Sequence, residues 1–352
     1  MYSRSLRKSL FLLLAIGVSI VGVGCLSSNV DDKGKTADGA TSVINYEISD
    51  ESITETPVII LDPSPTLESV LISPTAEIER DNNTSTPIEP PNTLTRFAVI
   101  GDYGLSKGPE RDVANLVKSW EPDFIITVGD NNYPDGTAET IDENIGQYYG
   151  EFIYHYVGDF GDGSDVNRFF PILGNHDWTT AGGQPYYDYF TLPGNERYYD
   201  FVWGDVHFFA LNSDSREPDG VGLSSVQAQW FREKIAGSSA PWKIVYMHHP
   251  PYSSSGDGSI TWMQWPFKEW GADAVMTGHS HVYERLIVGD FPYFINGLGG
   301  GPRYSFDSSI PSSQVRYRDE YGAMLVDANP ELLVFHFITR GTEILDAYEI
   351  GR

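Results

Sequence analysis

Phe97-Ala98-Val99-Ile100-Gly101-Asp102 and Phe124-Ile125-Ile126-Thr127-Val128-Gly129-Asp130 are both apolar, strand-length runs that stop abruptly at Gly-Asp. Residues 109–120 join them, opening on Pro109 and placing Val113, Leu116 and Val117 on one helical face. Strand, helix and strand in that order predict a βαβ crossover, so two parallel strands end side by side, each with an acid at its carboxyl end. Ligands in open α/β sheets gather outside the carboxyl ends of the strands, which makes the two Gly-Asp pairs candidates for one shared site.

Three further apolar runs end in the same manner. Residues 169–173 stop at Gly174-Asn175-His176, residues 244–247 at His248-His249, and residues 272–277 at Gly278-His279-Ser280-His281. Taken singly, Gly-Asp after a strand is usually a turn and a lone histidine is usually structural. Five such endings in one chain instead predict one site assembled from distant sequence and sized for two metal ions.

The connections support the same class. A helix is expected over residues 225–236, with Val226, Trp230, Phe231 and Ile235 on its buried face, and residues 261–270 have the same character. Beyond them the texture changes to strands with tight turns at 291–296, 322–327, 332–339 and 344–350. Residues 199–202 and 207–211 flank Trp203-Gly204-Asp205 as a hairpin. The expected fold is α/β, with two packed mixed β-sheets flanked by helices.

The first 92 residues read differently. Arg4, Arg7 and Lys8 precede an apolar run over residues 10–23, too short to span a bilayer, so residues 1–25 are read as an export signal. The sole cysteine, Cys25, ends that run before Leu26-Ser27-Ser28. This arrangement resembles the lipobox of bacterial lipoproteins, which implies lipid attachment at Cys25 and an extracytoplasmic protein anchored to the membrane; the alternative is that Cys25 merely borders a cleavage site. Residues 26–92 are rich in Ser, Thr, Pro and acids, with Tyr46 their only aromatic, and are read as a flexible tether. The folded domain is expected over residues 93–352. It has no disulfide to form.

The formal net charge of -26 argues against a nucleic-acid groove, because so acidic a body repels polyanions. Any phosphate bound here needs positive charge from something besides Lys and Arg.

Gly-Asp-x-Gly at Asp102, Gly-Asp-x-x-Tyr at Asp130 and Tyr133, Gly-Asn-His-Asp at Asn175 and His176, Val-x-x-His at His248 and Gly-His-x-His at His279 and His281 follow one another in this order. These blocks resemble those of the calcineurin-like metallophosphoesterases, and Tyr133 makes the purple acid phosphatases the nearest match. The resemblance covers about residues 94–348 and implies a four-layer sandwich. It also implies that Asp102, Tyr133 and His281 hold one metal, that Asn175, His248 and His279 hold the other, and that Asp130 bridges them. Carboxylate and phenolate oxygens suit Fe3+, whereas imidazole and amide oxygen suit a divalent Fe, Zn or Mn.

The implied activity is hydrolysis of a small-molecule phosphomonoester, with a metal-bound hydroxide attacking phosphorus and His176 binding the phosphate or protonating the leaving group. A phosphodiesterase or nucleotidase on the same fold is the first alternative, and a surface binding protein with structural metals the second. Asp177 either orients His176 or caps the following turn. His249 is read as packing beside the ligands, His207 and His336 as packing residues, and His155 as packing with substrate stacking as the alternative. Asn131, Asn132, the Tyr133-Pro134-Asp135-Gly136 segment, Trp178, Tyr186, Tyr187, Tyr252 and Arg303 are candidates for the mouth of the site, and the glycines at 297 and 299–301 for a close-approach turn beside it.

Overall fold

The computed structural model describes residues 94–352. The export signal at 1–25, the Cys25 attachment point and the tether at 26–92 lie outside the described residues. In chain order the elements are β1 (Thr95–Ile100), α1 (Gly108–Ser119), β2 (Phe124–Thr127), the short helices α2 (Ala138–Ile141) and α3 (Gln147–Tyr149), β3 (Phe169–Phe170), α4 (Gln184–Tyr189), β4 (Tyr199–Trp203), β5 (Val206–Ala210) and α5 (Val226–Ala236). There follow β6 (Trp242–Tyr246), β7 (Ala274–Thr277), β8 (Tyr283–Val288), β9 (Phe291–Asn296), β10 (Ser313–Tyr317), β11 (Gly322–Ala328), β12 (Leu332–Thr339) and β13 (Ile344–Gly351).

The strands form a six-stranded sheet in the order β13-β12-β11-β1-β2-β3 and a seven-stranded sheet in the order β10-β8-β9-β7-β6-β5-β4. Both are mixed: β1, β2 and β3 run parallel, as do β5, β6, β7 and β9, and the outer pairings are antiparallel. The expected class is therefore observed, with α1 packed on the first sheet through β11 and α5 against the second. Among the described residues no helix is long and apolar enough to cross a membrane.

Aromatic residues from both sheets meet between them. Phe208 of β5 lies edge-on to Phe97 of β1 at 5.0 Å and to Phe124 of β2 at 5.2 Å, and Phe170 of β3 stacks on Phe201 of β4 at 3.8 Å. Successive strand residues point to opposite faces, so Phe208, Ile244 and Tyr246 fill this inner core while Phe209, Val245 and Met247 fill the outer one with Phe231 and Ile235 of α5.

Local chemistry explains the departures from the sequence expectation. The third run is a strand only at Phe169–Phe170, because Pro171 has no N–H to donate to a ladder. Residues 261–270 make a single turn of 3-10 helix at Thr261–Met263, since Pro266 interrupts the run and disfavours helical backbone at Trp265; Met263, Trp265 and Phe267 are buried. In α5 the expected face is rotated. Val226 is 58% exposed, whereas Gln227 is fully buried and locks onto Asn212, donating to its carbonyl at 2.9 Å and accepting from its N–H at 2.7 Å.

Removing the aromatic ring at the centre of the inter-sheet core leaves a cavity that neither sheet can close. Phe208→Ala is expected to lower unfolding stability by about 3–5 kcal/mol in chemical denaturation, whereas Val202→Ala, at a position 59% exposed, changes it by less than about 0.5 kcal/mol.

Candidate metal centre

The carboxyl ends of β1, β2, β3, β6 and β7 open into one crevice, and the residues just beyond them turn sharply. Asp102, Asp130 and His279 all hold the left-handed region, with φ of 56°, 52° and 66°. Side chains rarely adopt that backbone, and such strain is retained where the surrounding structure demands it. Close approach is enforced next door: a Cβ on Gly174 would lie 2.1 Å from Asp130 Oδ1.

Backbone amides aim the two carboxylates. His279 N–H donates to both Asp102 oxygens at 3.0 and 3.1 Å, and His176 N–H donates to Asp130 Oδ1 at 3.0 Å. Tyr133 Oη then lies 3.0 Å from Asp130 Oδ2, 3.0 Å from His281 Nε2 and 3.5 Å from Asp102 Oδ1. Beside this group, Asn175 Oδ1 is 3.0 Å from both His248 Nε2 and His279 Nδ1, and Asp130 Oδ1 is 3.4 Å from His248 Nε2. The seven residues expected at the centre are thus brought together, in two groups that share Asp130.

Tautomers decide what these contacts mean. His248 Nδ1 faces the Val128 carbonyl at 2.8 Å and His281 Nδ1 faces the Pro302 carbonyl at 2.6 Å, so each ring donates there and turns an Nε2 lone pair inward. Burial pushes the His248 pKa down to about 3, so that ring is neutral at ordinary pH. Its lone pair therefore confronts the oxygen lone pairs of Asn175 and Asp130 in a buried space. A cation between them turns that repulsion into ligation, and the donor set fits one hard site of carboxylate and phenol oxygens and one site of imidazole and amide donors.

Without a cation, the neighbouring carboxylates instead favour the protonated forms of two other donors. Burial opposes charge on His281, yet the hydrogen bond and charge of Asp102, helped by Asp130, raise its pKa overall. Tyr133 is pushed well above the ordinary phenol range by burial and then by Asp130 and Asp102. No protein group here favours a phenolate, so only a strong Lewis acid would produce one.

His176 stands at the mouth with its side chain 38% exposed. Its Nδ1 is 2.5 Å from the Pro134 carbonyl and its Nε2 is 4.0 Å from Asp130 Oδ2. Asp177 makes no bond to that ring. Its carboxylate accepts from Gly174 N–H at 2.8 Å, Asn131 N–H at 3.1 Å and Asn131 Nδ2 at 2.9 Å, so it caps the turn and ties the loop after β2 to the loop after β3. Burial and the nearby Asp130 raise its pKa to about 7 against the pull of these amides.

Several mouth candidates are scaffold instead. Asn131 and Asn132 are at most 1% exposed: Asn131 also accepts from Thr127 Oγ1 and Tyr103 Oη, while Asn132 is held by Thr137, Thr140 and Asn144. Trp178 and Tyr186 are buried as well. His249 is buried with Nδ1 on Ser213 Oγ at 2.9 Å, its ring 4.5 Å from that of His279, so its donor atoms fall within reach of the His248 and His279 group. His207 is a satisfied packing residue between Asp200 and Ser238, and His336 is half-buried within β12. His155 is exposed rather than packed. The glycine-rich turn does approach closely, with Gly299 N–H on the Gly101 carbonyl at 3.0 Å and Gly301 N–H on the Asp102 carbonyl at 2.7 Å.

Two neighbours escaped the sequence reading. Arg216 is held by both oxygens of Asp214 at 2.7 and 2.6 Å, donates to the Asn175 carbonyl at 3.0 Å and lies over Trp178. Tyr304 stacks on His281 at 4.1 Å with an interplanar angle of 6°. Arg216 follows β5, whose apolar run also ends in Asn212-Ser213-Asp214; the rule of strand endings points to it once Asn and Ser count as endings.

The profile of the family described as calcineurin-like phosphoesterase matches residues 95–283. Purple acid phosphatase 15 of Arabidopsis thaliana is 26% identical over 233 residues, 56% of this chain and 42% of the relative. Tartrate-resistant acid phosphatase type 5 of Mus musculus is 22% identical over 275 residues, 66% of this chain and 81% of the relative. The chain spans less than half the length of the plant relatives purple acid phosphatase 15 and 22, at 42% and 46%. Among solved structures, yellow lupin purple acid phosphatase PPD1 superposes with a TM-score of 0.60 at 17% identity, covering 74% of this chain and 54% of that one. GAP50 of Plasmodium superposes with a TM-score of 0.57 at 18% identity, covering 73% and 89%. At those identities the structural likeness shows the fold alone. The match of the family profile, which takes in all five strand endings, is what carries the assignment: this chain belongs to the calcineurin-like phosphoesterase family.

Proposed function

We propose that this protein is a phosphomonoester hydrolase of the purple acid phosphatase type, working at a binuclear metal centre. The observation that carries the reading is the convergence of Asp102, Asp130, Tyr133, Asn175, His248, His279 and His281, with Tyr133 Oη 3.0 Å from Asp130 and from His281. Relatives named as acid phosphatases support the monoester over the diester.

Asp102, Tyr133 and His281 would hold one metal, Asn175, His248 and His279 the other, and Asp130 would serve both. When bound, such a pair would supply an acidified water as nucleophile and offset charge on the phosphoryl oxygens. The chain's own groups do the rest. The Val128 and Pro302 carbonyls keep His248 and His281 in the tautomer that ligates. The Pro134 carbonyl takes the Nδ1–H of His176, leaving Nε2 to carry a proton to the leaving oxygen. Arg216, pre-set by Asp214, meets phosphoryl oxygens from the Asn175 side.

We further propose that residues 1–25 direct export, that Cys25 carries a lipid and that residues 26–92 tether the enzyme to the membrane. Metabolic labelling with a radioactive fatty acid should mark the full chain in a lipoprotein-processing bacterial host, and Cys25→Ser should abolish the label; label retained in that variant would sink the anchor.

Asp130→Ala should lose both bound metal, by elemental analysis, and turnover of p-nitrophenyl phosphate; full activity without the bridging carboxylate would overturn the binuclear reading. If the first metal is ferric, the purified protein shows a visible charge-transfer band that Tyr133→Phe removes, whereas a colourless, iron-free and active protein defeats the purple subtype alone. His176→Ala should lower kcat by about 10²- to 10⁴-fold with metal content unchanged. Turnover of a monoester and a diester of one aryl alcohol separates the phosphatase from a phosphodiesterase, which predicts the diester as the better substrate.

A further inference from the structure

Beside Tyr304 lies a polar cleft of about 420 Å³ lined by Arg303, Tyr304, Arg318, Asp319 and Tyr321. One short segment links its lining to the candidate centre. Gly301 N–H bonds the Asp102 carbonyl at 2.7 Å, the Pro302 carbonyl faces His281 Nδ1 at 2.6 Å, and Tyr304 N–H bonds the His281 carbonyl at 3.0 Å. Arg303 therefore sits between two residues that are each fastened to a proposed metal ligand.

The cationic groups are placed but not neutralised. Arg303 lies over the Tyr321 ring at 4.9 Å and donates to the Asp319 carbonyl, and Arg318 donates to the Tyr304 carbonyl at 3.3 Å. Neither guanidinium closes an ion pair with a carboxylate among the described residues, and Glu320 is taken by Arg340 at 2.9 Å. The lining of the cleft holds two guanidiniums and one carboxylate, Asp319. The ring faces nearby are engaged: Tyr304 stacks on His281, and Tyr321 carries both Arg303 and Arg340. The cleft thus offers charge and fork geometry rather than a platform for a base or sugar.

We propose that this cleft binds a second phosphoryl group of the substrate, so that the enzyme prefers phosphate esters carrying two phosphates over simple monoesters. This rests on the phosphatase reading for the scissile phosphate; it joins Arg318 to the mouth candidate Arg303 and makes the pair the residues that set substrate class. Neither is placed among the groups that act on the scissile phosphate.

Titration calorimetry of the purified full chain with propane-1,3-bisphosphonate and with propylphosphonate, neither of which can be hydrolysed, tests it. The native protein should bind the bisphosphonate about tenfold more tightly or better, and Arg303→Ala combined with Arg318→Ala should bring the two affinities together. The circular dichroism spectrum and thermal midpoint of that double variant should match the native values, which shows that it is folded; should it not fold, Arg318→Gln alone should shrink the preference. Equal affinities in the native protein, or a preference that survives the substitutions, overturns the proposal. Absence of p-nitrophenyl phosphate turnover in the native protein would instead count against the phosphatase reading, while the calorimetric ratio still judges the cleft.

Discussion

Asp130 places a buried negative charge where five loops meet, and much of the local structure exists to hold it there. Its Oδ1 takes the His176 N–H and lies 3.4 Å from His248 Nε2, while its Oδ2 lies 3.0 Å from Tyr133 Oη. A buried carboxylate is costly unless it is hydrogen-bonded or neutralised, and one amide does not balance the charge. Asp102 repeats the problem across the crevice, with both oxygens on the His279 N–H. The inward lone pairs of His248 and His281 add further acceptors, so the whole assembly calls for cations. That demand also accounts for an acidic chain of a phosphoesterase family, since the positive charge that meets phosphate need not come from side chains.

Holding such a group requires a rigid frame, and the two sheets provide it. The inner aromatic core fixes β1, β2 and β3 against β4 and β5, and the strand ends therefore open at a fixed separation. Left-handed backbone at Asp102, Asp130 and His279 is strain that this packing over-determines. A second layer of polar bonds stiffens the loops. Asn131 and Asp177 lock the loops after β2 and β3 together, and Ser255 Oγ meets Ser280 Oγ at 2.6 Å while buried Glu284 accepts from Ser254 N–H at 2.9 Å, bracing the turn that carries His279 and His281. Half-satisfied networks of this kind would loosen the centre, which is why their members are buried and paired.

The same frame makes the two sides of the crevice unlike. On the Asn175 side Arg216 is neutralised by Asp214 and donates to the Asn175 carbonyl. On the His281 side the chain runs straight from the proposed ligands into the Arg303 and Arg318 cleft, whose guanidiniums close no ion pair with a carboxylate among the described residues. Under the proposed function, one side meets the reacting phosphate and the other what the substrate carries beyond it.

Much of this was legible in the sequence because apolar runs that end in ligand-type residues obey a local rule: a β-strand buries its body and releases its carboxyl end to solvent-facing chemistry. The parallel β1-α1-β2 unit, the hairpin at β4 and β5, the two mixed sheets and the residues gathered at the strand ends all follow from periodicity and turn chemistry. Other features depend on partners far away in the chain. Asn131 and Asn132 looked like mouth residues because polarity alone does not say whether an amide meets water or another buried amide. Asp177 was equally balanced between orienting His176 and capping a turn, and only the arrival of Asn131 from another loop decides it. The α5 face rotated because Gln227 found Asn212, and Arg216 and Tyr304 became neighbours of the centre because their loops return to it. The sequence by itself determined which groups of the right chemistry end the strands; the tertiary structure decided which of them share a space, because burial and hydrogen-bond partners are properties of the packed chain and not of any local stretch.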